Sequence, residues 1–232
     1  MYAIIIAGGK GERLRPLTSD RPKSMVSLAG KPILEHQLVW LRENGVTDVV
    51  VACGYLHNVI EEYFGAGAKW GLNIAYSIEE TPLGRGGALK LGYEQVPDDE
   101  QFVIATNGDN VNTQALGPMI DQHKATGATG TLLLTQLRSP FGIVSQQGER
   151  IVGFEEKPLL PHWLSAGVYV LERSFFADLA DIGDHEDELL PKLANEGRLY
   201  GFRSDAYWKA IDTVKDLNEA AEQLAAQAES GS

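Results

Sequence analysis

The chain has 232 residues, 44% of them hydrophobic, and carries 20 basic side chains against 32 acidic ones, a formal net charge of −12. That length can bury a substantial core within one compact domain, and the acidic balance argues against a nucleic-acid or anionic-membrane surface, both of which rely on clustered lysines and arginines. No stretch approaches the roughly 20 apolar residues of a membrane span, no signal peptide precedes the first strand, and the lone Cys53 has no disulfide partner, so a cytoplasmic location is expected.

Tyr2 to Ala7 is a short β-branched run that suits a strand buried on both faces, and the glycine-rich loop from Gly8 follows it. Pro32 to Glu43 places Ile33, Leu34, Leu38 and Leu41 on one helical face, with Gly45 as a stop. A strand over 48–53, a helix over 56–64, a strand over 73–78, a helix over 88–95 and a strand over 102–106 come next. This βαβαβα alternation predicts an α/β fold with a largely parallel sheet and ligands at the carboxyl ends of its strands. The second half is richer in β structure, with strands at 129–137, 142–146, 151–155 and 166–171, and helices near 175–180 and 186–196. Strands at 200–202 and 207–211 complete a mixed sheet. The ending over 214–228 is strongly helical, with Thr213 and Asp216 spaced as a capping box, and Glu229 to Ser232 reads as a frayed tail.

The loop after the first strand carries the chemistry. Gly8, Gly9 and Gly11 let main-chain N–H groups approach a bulky anion, and Arg13, Arg15 and Lys23 add charge. A P-loop would need GxxxxGK followed by Ser or Thr, and a dinucleotide fingerprint would need a third glycine where Leu14 stands, so neither motif fits. The segment reads as a triphosphate cradle or, more plainly, as a βα turn with solvated arginines. Asn107-Gly108-Asp109 leaves a buried-looking strand toward the same sheet edge, where Asp109 is either a carboxylate ligand for magnesium or part of a tight turn. His36, His57, His123, His162 and His185 show neither metal-ligand spacing nor pairing with a nucleophile, and Cys53 closes an apolar strand as a core residue.

The run Gly8 to Thr18, GGKGERLRPLT, with Arg21-Pro22-Lys23-Ser24-Met25, resembles the signature of sugar-1-phosphate nucleotidylyltransferases, GGxGTRLxPLT followed by PKPL. Glu12 replaces the usual threonine and Ser24 the usual second proline. The similarity continues through Pro82 to Ala88, Asn107 to Asp109, Glu155 to Pro158 and Tyr207-Trp208. The resemblance implies a Rossmann-like three-layer αβα nucleotidyltransferase fold. Residues 1–232 then form one catalytic domain, nucleotide in the N-terminal half and sugar phosphate in the C-terminal half, ending before the repetitive β-helix that many members carry. It assigns Arg13 and Lys23 to catalysis, and Ala7, Gly8, Gly9, Gly11, Glu12, Pro82, Gly84, Gly87 and Asn107 to the nucleotide. Gly142, Glu156, Lys157 and Ser165 are assigned to the sugar phosphate, and magnesium is held by Asp109 and a second carboxylate.

At that second carboxylate the chain departs from the family's Trp-x-Asp-aliphatic-Gly-Thr, reading Trp208-Lys209-Ala210-Ile211-Asp212-Thr213. Residues two apart in a strand share a face, so Asp212 can stand in for a residue at 210; alternatively it caps the last helix. The segment Pro82 to Ala88 resembles guanylyltransferases for mannose or heptose phosphates, whereas the Trp208 to Thr213 ending is more like cytidylyltransferases. The expected substrates are a nucleoside triphosphate and a sugar 1-phosphate, with GTP and mannose 1-phosphate as the specific pair and pyrophosphate leaving. A cytidylyltransferase for a sugar or alcohol phosphate and a catalytically silent nucleotide sensor are the alternatives; oligomeric state is left open. A sugar 1-phosphate, with a second pKa of about 6, is mostly dianionic near neutrality and needs no general base.

Overall fold

The computed structural model describes residues 1–230. The first half contains β1 (Tyr2–Ile6), β2 (Ser27–Leu28), β3 (Lys31–Pro32), α1 (Ile33–Glu43), β4 (Asp48–Cys53), α2 (His57–Phe64), β5 (Asn73–Ile78) and α3 (Gly84–Tyr93). Then come β6 (Phe102–Asn107), β7 (Asn110–Asn112), α4 (Leu116–Thr126), β8 (Gly130–Arg138), β9 (Ile143–Gln147), β10 (Arg150–Glu155) and β11 (Leu159–Glu172). The chain finishes through α5 (Arg173–Ala177), α6 (Leu189–Asn195), β12 (Leu199–Ser204), β13 (Trp208–Ala210) and α7 (Val214–Ser230).

Side chains alternate along each strand, so a β-branched run feeds two cores at once. Ala3 and Ile5 of β1 join Val49, Val51 and Cys53 of β4 in one core, covered by α1, α2 and α4. Ile4, Val50 and Ala52 face the opposite core, covered by α3, α5 and α6. The result is the expected three-layer α/β/α architecture. Its seven-stranded sheet has the order β12-β8-β11-β6-β1-β4-β5. Only β11 runs against its neighbours β6 and β8; the remaining pairs are parallel. β4 and β5 extend the sheet on one side of β1 and β6 lies on the other, which opens a crevice at the carboxyl ends of β1 and β6.

Several boundaries differ from the expectations. The helix expected over 88–95 begins at Gly84, because the glycines of its first turn admit a neighbouring loop rather than ending the helix. α4 and β7 were not foreseen, and the strand expected at 166–171 extends back to Leu159. The helix expected near 186–196 is confined to 189–195, and that near 175–180 to 173–177. The capping box is present: Asp216 N–H donates to Thr213 Oγ1 at 3.2 Å and Thr213 N–H to Asp216 Oδ2 at 2.9 Å. Of the expected tail, Glu229 and Ser230 belong to α7, while Gly231 and Ser232 lie outside the described residues. Among the described residues no helix is long and apolar enough to cross a membrane.

Candidate active site

β1 and β6 are adjacent and parallel, with Ile6 opposite Asn107, so the loops that leave them start side by side. Gly108 N–H donates to the Ile6 carbonyl at 2.7 Å, and a Cβ on Gly108 would stand 2.7 Å from that oxygen, so only glycine lets the loops approach this closely. Gly11 takes a left-handed φ of 63°, and a Cβ there would meet Lys23 Cβ at 2.8 Å. The loop curls back in this way and brings Lys23 over its own start, where Lys23 N–H donates to Gly9 O at 3.2 Å. Leu14 anchors the curl in a small core with Val26, Ile211 and Ala220 of α7. Between the loops lies a cavity of about 190 Å3, bordered by Ala7, Gly9, Lys23, Ser24, Asn107 and Asp109, and also by Arg85.

Four charged groups meet beside it. Lys23 Nζ donates to Asp109 Oδ2 at 2.7 Å and to Asp212 Oδ1 at 2.6 Å, and Arg13 Nη2 donates to Asp212 Oδ1 at 2.8 Å. A short ribbon delivers Asp212: β13 pairs antiparallel with β7, Ala210 opposite Asn110, and Ile211 N–H donates to Asp109 O at 2.8 Å. The strand stops at Ala210, one residue short of the expected end, and Asp212 follows it. Thr213, not Asp212, supplies the helix-capping hydroxyl, and the Asp212 carboxylate turns to Lys23 and Arg13 instead. The alternative of Asp212 as a helix cap is thereby removed.

Both carboxylates converge on the Lys23 ammonium, and Asp212 also meets Arg13. Their hard oxygens suit magnesium, which takes one or two carboxylates and completes its shell with water and phosphate oxygens. Among the described residues no third His, Cys, Asp or Glu joins them as a ligand cluster.

The residues expected for the sugar phosphate lie apart from that cavity. A Cβ on Gly142 would stand 3.0 Å from Glu156 Oε2, so the base of the β9–β10 hairpin brings these two together. Lys157, exposed and with φ 48°, follows them, its carbonyl accepting from Arg138 Nη1 at 2.9 Å. Ser165 Oγ accepts from Gly167 N–H at 3.3 Å. At Gly167 a Cβ would stand 2.5 Å from Asn107 Nδ2, so β11, the antiparallel neighbour of β6, packs its backbone against the Asn107 side chain. Pro82 is exposed and Glu12 lies exposed on a single 3-10 turn. Gly8 packs near Glu79, where a Cβ would meet Oε1 at 2.8 Å. Gly84, with φ 77°, would place a Cβ 2.5 Å from Gly183 O, and Gly87 would collide with Asp181 O, so the loop around 181–183 is what requires these glycines.

Residues 2–227 match the model of the nucleotidyl transferase family. The chain belongs to that family. It is 34% identical over 229 residues to a D-glycero-α-D-manno-heptose 1-phosphate guanylyltransferase of Aneurinibacillus thermoaerophilus, covering 97% of this chain and 98% of that protein. It is 36% identical to a mannose-1-phosphate guanyltransferase of Yarrowia lipolytica, covering 94% of this chain and 62% of the relative's length. The crystal structure of HddC from Yersinia pseudotuberculosis superimposes with a TM-score of 0.78 at 24% identity, covering 96% of this chain and 99% of that one, which shows the shared fold.

Two residues at the site of this nucleotidyl transferase, Ser24 and Arg85, carry no assignment from the sequence. Ser24 Oγ and Asn107 Oδ1 are buried, border the cavity and have no hydrogen-bond partner among the described residues, which marks them for a polar ligand. Ser24 stands where the family signature has its second proline, so the signature offers no role for it. Arg85 also borders the cavity, with Nε 2.6 Å from Asp184 Oδ2 and Nη1 2.6 Å from Glu186 Oε2. Its partner Asp184 lies 99 residues away, and no local pattern announces such a pairing. Cys53 is buried and its thiol is pushed up to about 12, by burial first and then by Glu61 and Glu79, so it is no nucleophile. No histidine borders the cavity.

Proposed function

We propose that this nucleotidyl transferase joins GTP to mannose 1-phosphate or a closely similar hexose or heptose 1-phosphate, releasing pyrophosphate in the cytoplasm. The observation that carries the reading is the meeting of Lys23, Arg13, Asp109 and Asp212 at the β1/β6 crevice. The names of the two relatives described above support guanylyl transfer to a sugar 1-phosphate.

In this reading Ala7, the amides of Gly8, Gly9 and Gly11, and Glu12 line the triphosphate, while Pro82, Gly84, Gly87 and Asn107 hold the nucleoside. Gly142, Glu156, Lys157 and Ser165 hold the sugar phosphate. Its dianionic phosphate oxygen attacks the α-phosphorus in line. The new P–O bond forms as the bond to pyrophosphate breaks, and no proton has to be moved. Lys23 and Arg13 stabilise the charge that builds on the α-phosphoryl oxygens. Asp109 and Asp212 would hold magnesium, which supplies Lewis-acid neutralisation of the phosphates when bound. With the carboxylates so engaged, the Lys23 ammonium is free for phosphate oxygens.

A pyrophosphate-release screen of four nucleoside triphosphates against several sugar 1-phosphates tests the proposal. Retained nucleotide binding with no turnover for any pair would favour the sensor. Turnover with CTP alone would favour the cytidylyltransferase, the reading suggested by the Asp212-Thr213 ending. Arg13→Ala and Asp109→Asn should each abolish turnover at unchanged melting temperature; near-normal rates in either would remove the assignment of the site.

A further inference from the structure

Arg85 is the one charged residue bordering the cavity that the phosphate loop and the Asp109–Asp212 pair leave without a role. It stands in the first turn of α3, and two carboxylates fix its guanidinium from one loop: Asp184 on Nε and Glu186 on Nη1, each at 2.6 Å. Nη2 makes no hydrogen bond to any described residue. Between the two acids, His185 is fully buried, its ring edge-on to Tyr169 and Phe175 at centroid distances of 5.4 and 6.2 Å. That anchor fixes the loop, and burial holds its imidazole neutral, so it adds no positive charge. Tyr169 OH donates to the other oxygen of Glu186 at 2.5 Å.

The clamp therefore ties α3 to β11, the strand that also carries Ser165 and Gly167 and packs against Asn107. Of Arg85, Asp184 and Glu186 only Arg85 borders the cavity, and the two acids that hold it outweigh its single charge, which weakens its pull on a phosphate ligand. What it presents to the cavity is a fixed N–H donor, and a sugar hydroxyl, which can accept as well as donate, matches it. We propose that Arg85, held in place by Asp184 and Glu186, is a specificity-determining residue that reads ring hydroxyls of the acceptor and, through the net negative charge of the three, selects neutral sugar 1-phosphates over those bearing a carboxylate. This rests on the nucleotidyl-transfer reading. The rival occupant is guanine, whose O6 and N7 suit an arginine fork; the connection through Tyr169 to β11 favours the sugar.

The test measures KM for each substrate, with the other saturating, in the wild type and in Arg85→Ala, Arg85→Lys and Glu186→Gln. The probes are GTP with D-mannose 1-phosphate, D-glucose 1-phosphate and D-glucuronic acid 1-phosphate. Loss of a charged hydrogen bond predicts that Arg85→Ala raises KM for the neutral sugar 1-phosphate by about ten- to hundredfold and leaves KM for GTP unchanged. Arg85→Lys, which keeps the charge without the fork, should recover part of that loss, and Glu186→Gln should narrow the preference for neutral over acidic sugar. A rise in KM for GTP instead of sugar overturns the proposal in favour of base reading. So do unchanged KM values in Arg85→Ala with only a lower melting temperature, and so does a wild type that uses glucuronic acid 1-phosphate as well as glucose 1-phosphate. A wild type that releases no pyrophosphate with any pair overturns the functional reading itself, whereas wild-type turnover with an unshifted Arg85→Ala overturns this inference alone.

Discussion

Replacing Lys23 with methionine should tighten divalent-cation binding while it slows turnover. The Lys23 ammonium sits 2.7 Å from Asp109 Oδ2 and 2.6 Å from Asp212 Oδ1, the place a metal ion bound by the same carboxylates would claim. The carboxylates are 38% and 36% exposed but the ammonium only 11%, so the dielectric of water sets a lower bound on the charge–charge repulsion. With about 4 Å between a doubly charged ion and the displaced ammonium, Coulomb's law at that dielectric gives a repulsion of about 2 kcal/mol. Removing it corresponds to a gain in affinity of roughly 30-fold. Manganese titrated into nucleotide-free protein and followed by electron paramagnetic resonance reads this directly; low ionic strength is needed because salt screens the effect. Pyrophosphate release should fall on the order of 100- to 1000-fold, the usual loss for one charge-stabilising donor. Manganese affinity that is unchanged or weaker in Lys23→Met would refute the idea that the two aspartates form a cation site. Asp212→Asn, which removes half of the pair, should weaken binding in the same assay.

The remaining expectations are more local. Gly108→Ala would put a methyl 2.7 Å from Ile6 O and 3.1 Å from Ala7 Cα, both backbone atoms that cannot step aside, so a loss of about 1–3 kcal/mol is expected. A melting temperature equal to that of the wild type would show that the loops part freely. His123 and His185 are both buried, and burial lowers their pKa values from the ordinary range, for His123 against the opposing pull of Glu172. Stability they confer is complete above the unfolded pKa of about 6.5 and is lost as pH falls through it toward the folded values. Urea midpoints should therefore drop between neutral and acidic pH, with a shallower drop in His185→Leu; identical slopes would count against buried neutral imidazoles. Cys53, with its thiol pushed up to about 12, should resist disulfide reagents at pH 8 until the protein unfolds. Rapid stoichiometric labelling of native protein would contradict its burial.

The sheet and its central crevice were readable from the sequence because β1, β4 and β6 are β-branched runs that need two apolar faces. Their loops carry glycines whose close contacts the structure makes explicit at Gly11 and Gly108. A role for Asp212 in place of a residue at 210 could be posed from the sequence, but whether its carboxylate turns to Lys23 or to the start of α7 depended on the pairing of β13 with β7. A three-residue strand whose partner lies in a distant segment leaves no periodic trace. α4 was hidden differently. Leu116, Met119, Ile120 and His123 do recur at helical spacing, yet Gly117 and Pro118 near the start read as a break, although proline is tolerated in a first helical turn. β11 was foreseen only in its apolar second half, since Pro161 and His162 interrupt the first. Arg85 was missed because what fixes it is a loop remote in sequence, so its role exists only in three dimensions.

The ribbon formed by β7 and β13 also sets when this protein becomes chemically competent. Lys23 reaches Asp109 across 86 residues and Asp212 across 189. Doubling a loop adds only about 0.6 kcal/mol of closure entropy, so the longer bridge is little harder to make, but during synthesis it must wait. A nascent chain that has completed β1 and β6 lacks both the second aspartate and the Ile211 and Ala220 side chains that seat Leu14 of the first loop. Arrival of β13 and α7 supplies them, which makes the cation pair a built-in report that the carboxyl-terminal segment has docked.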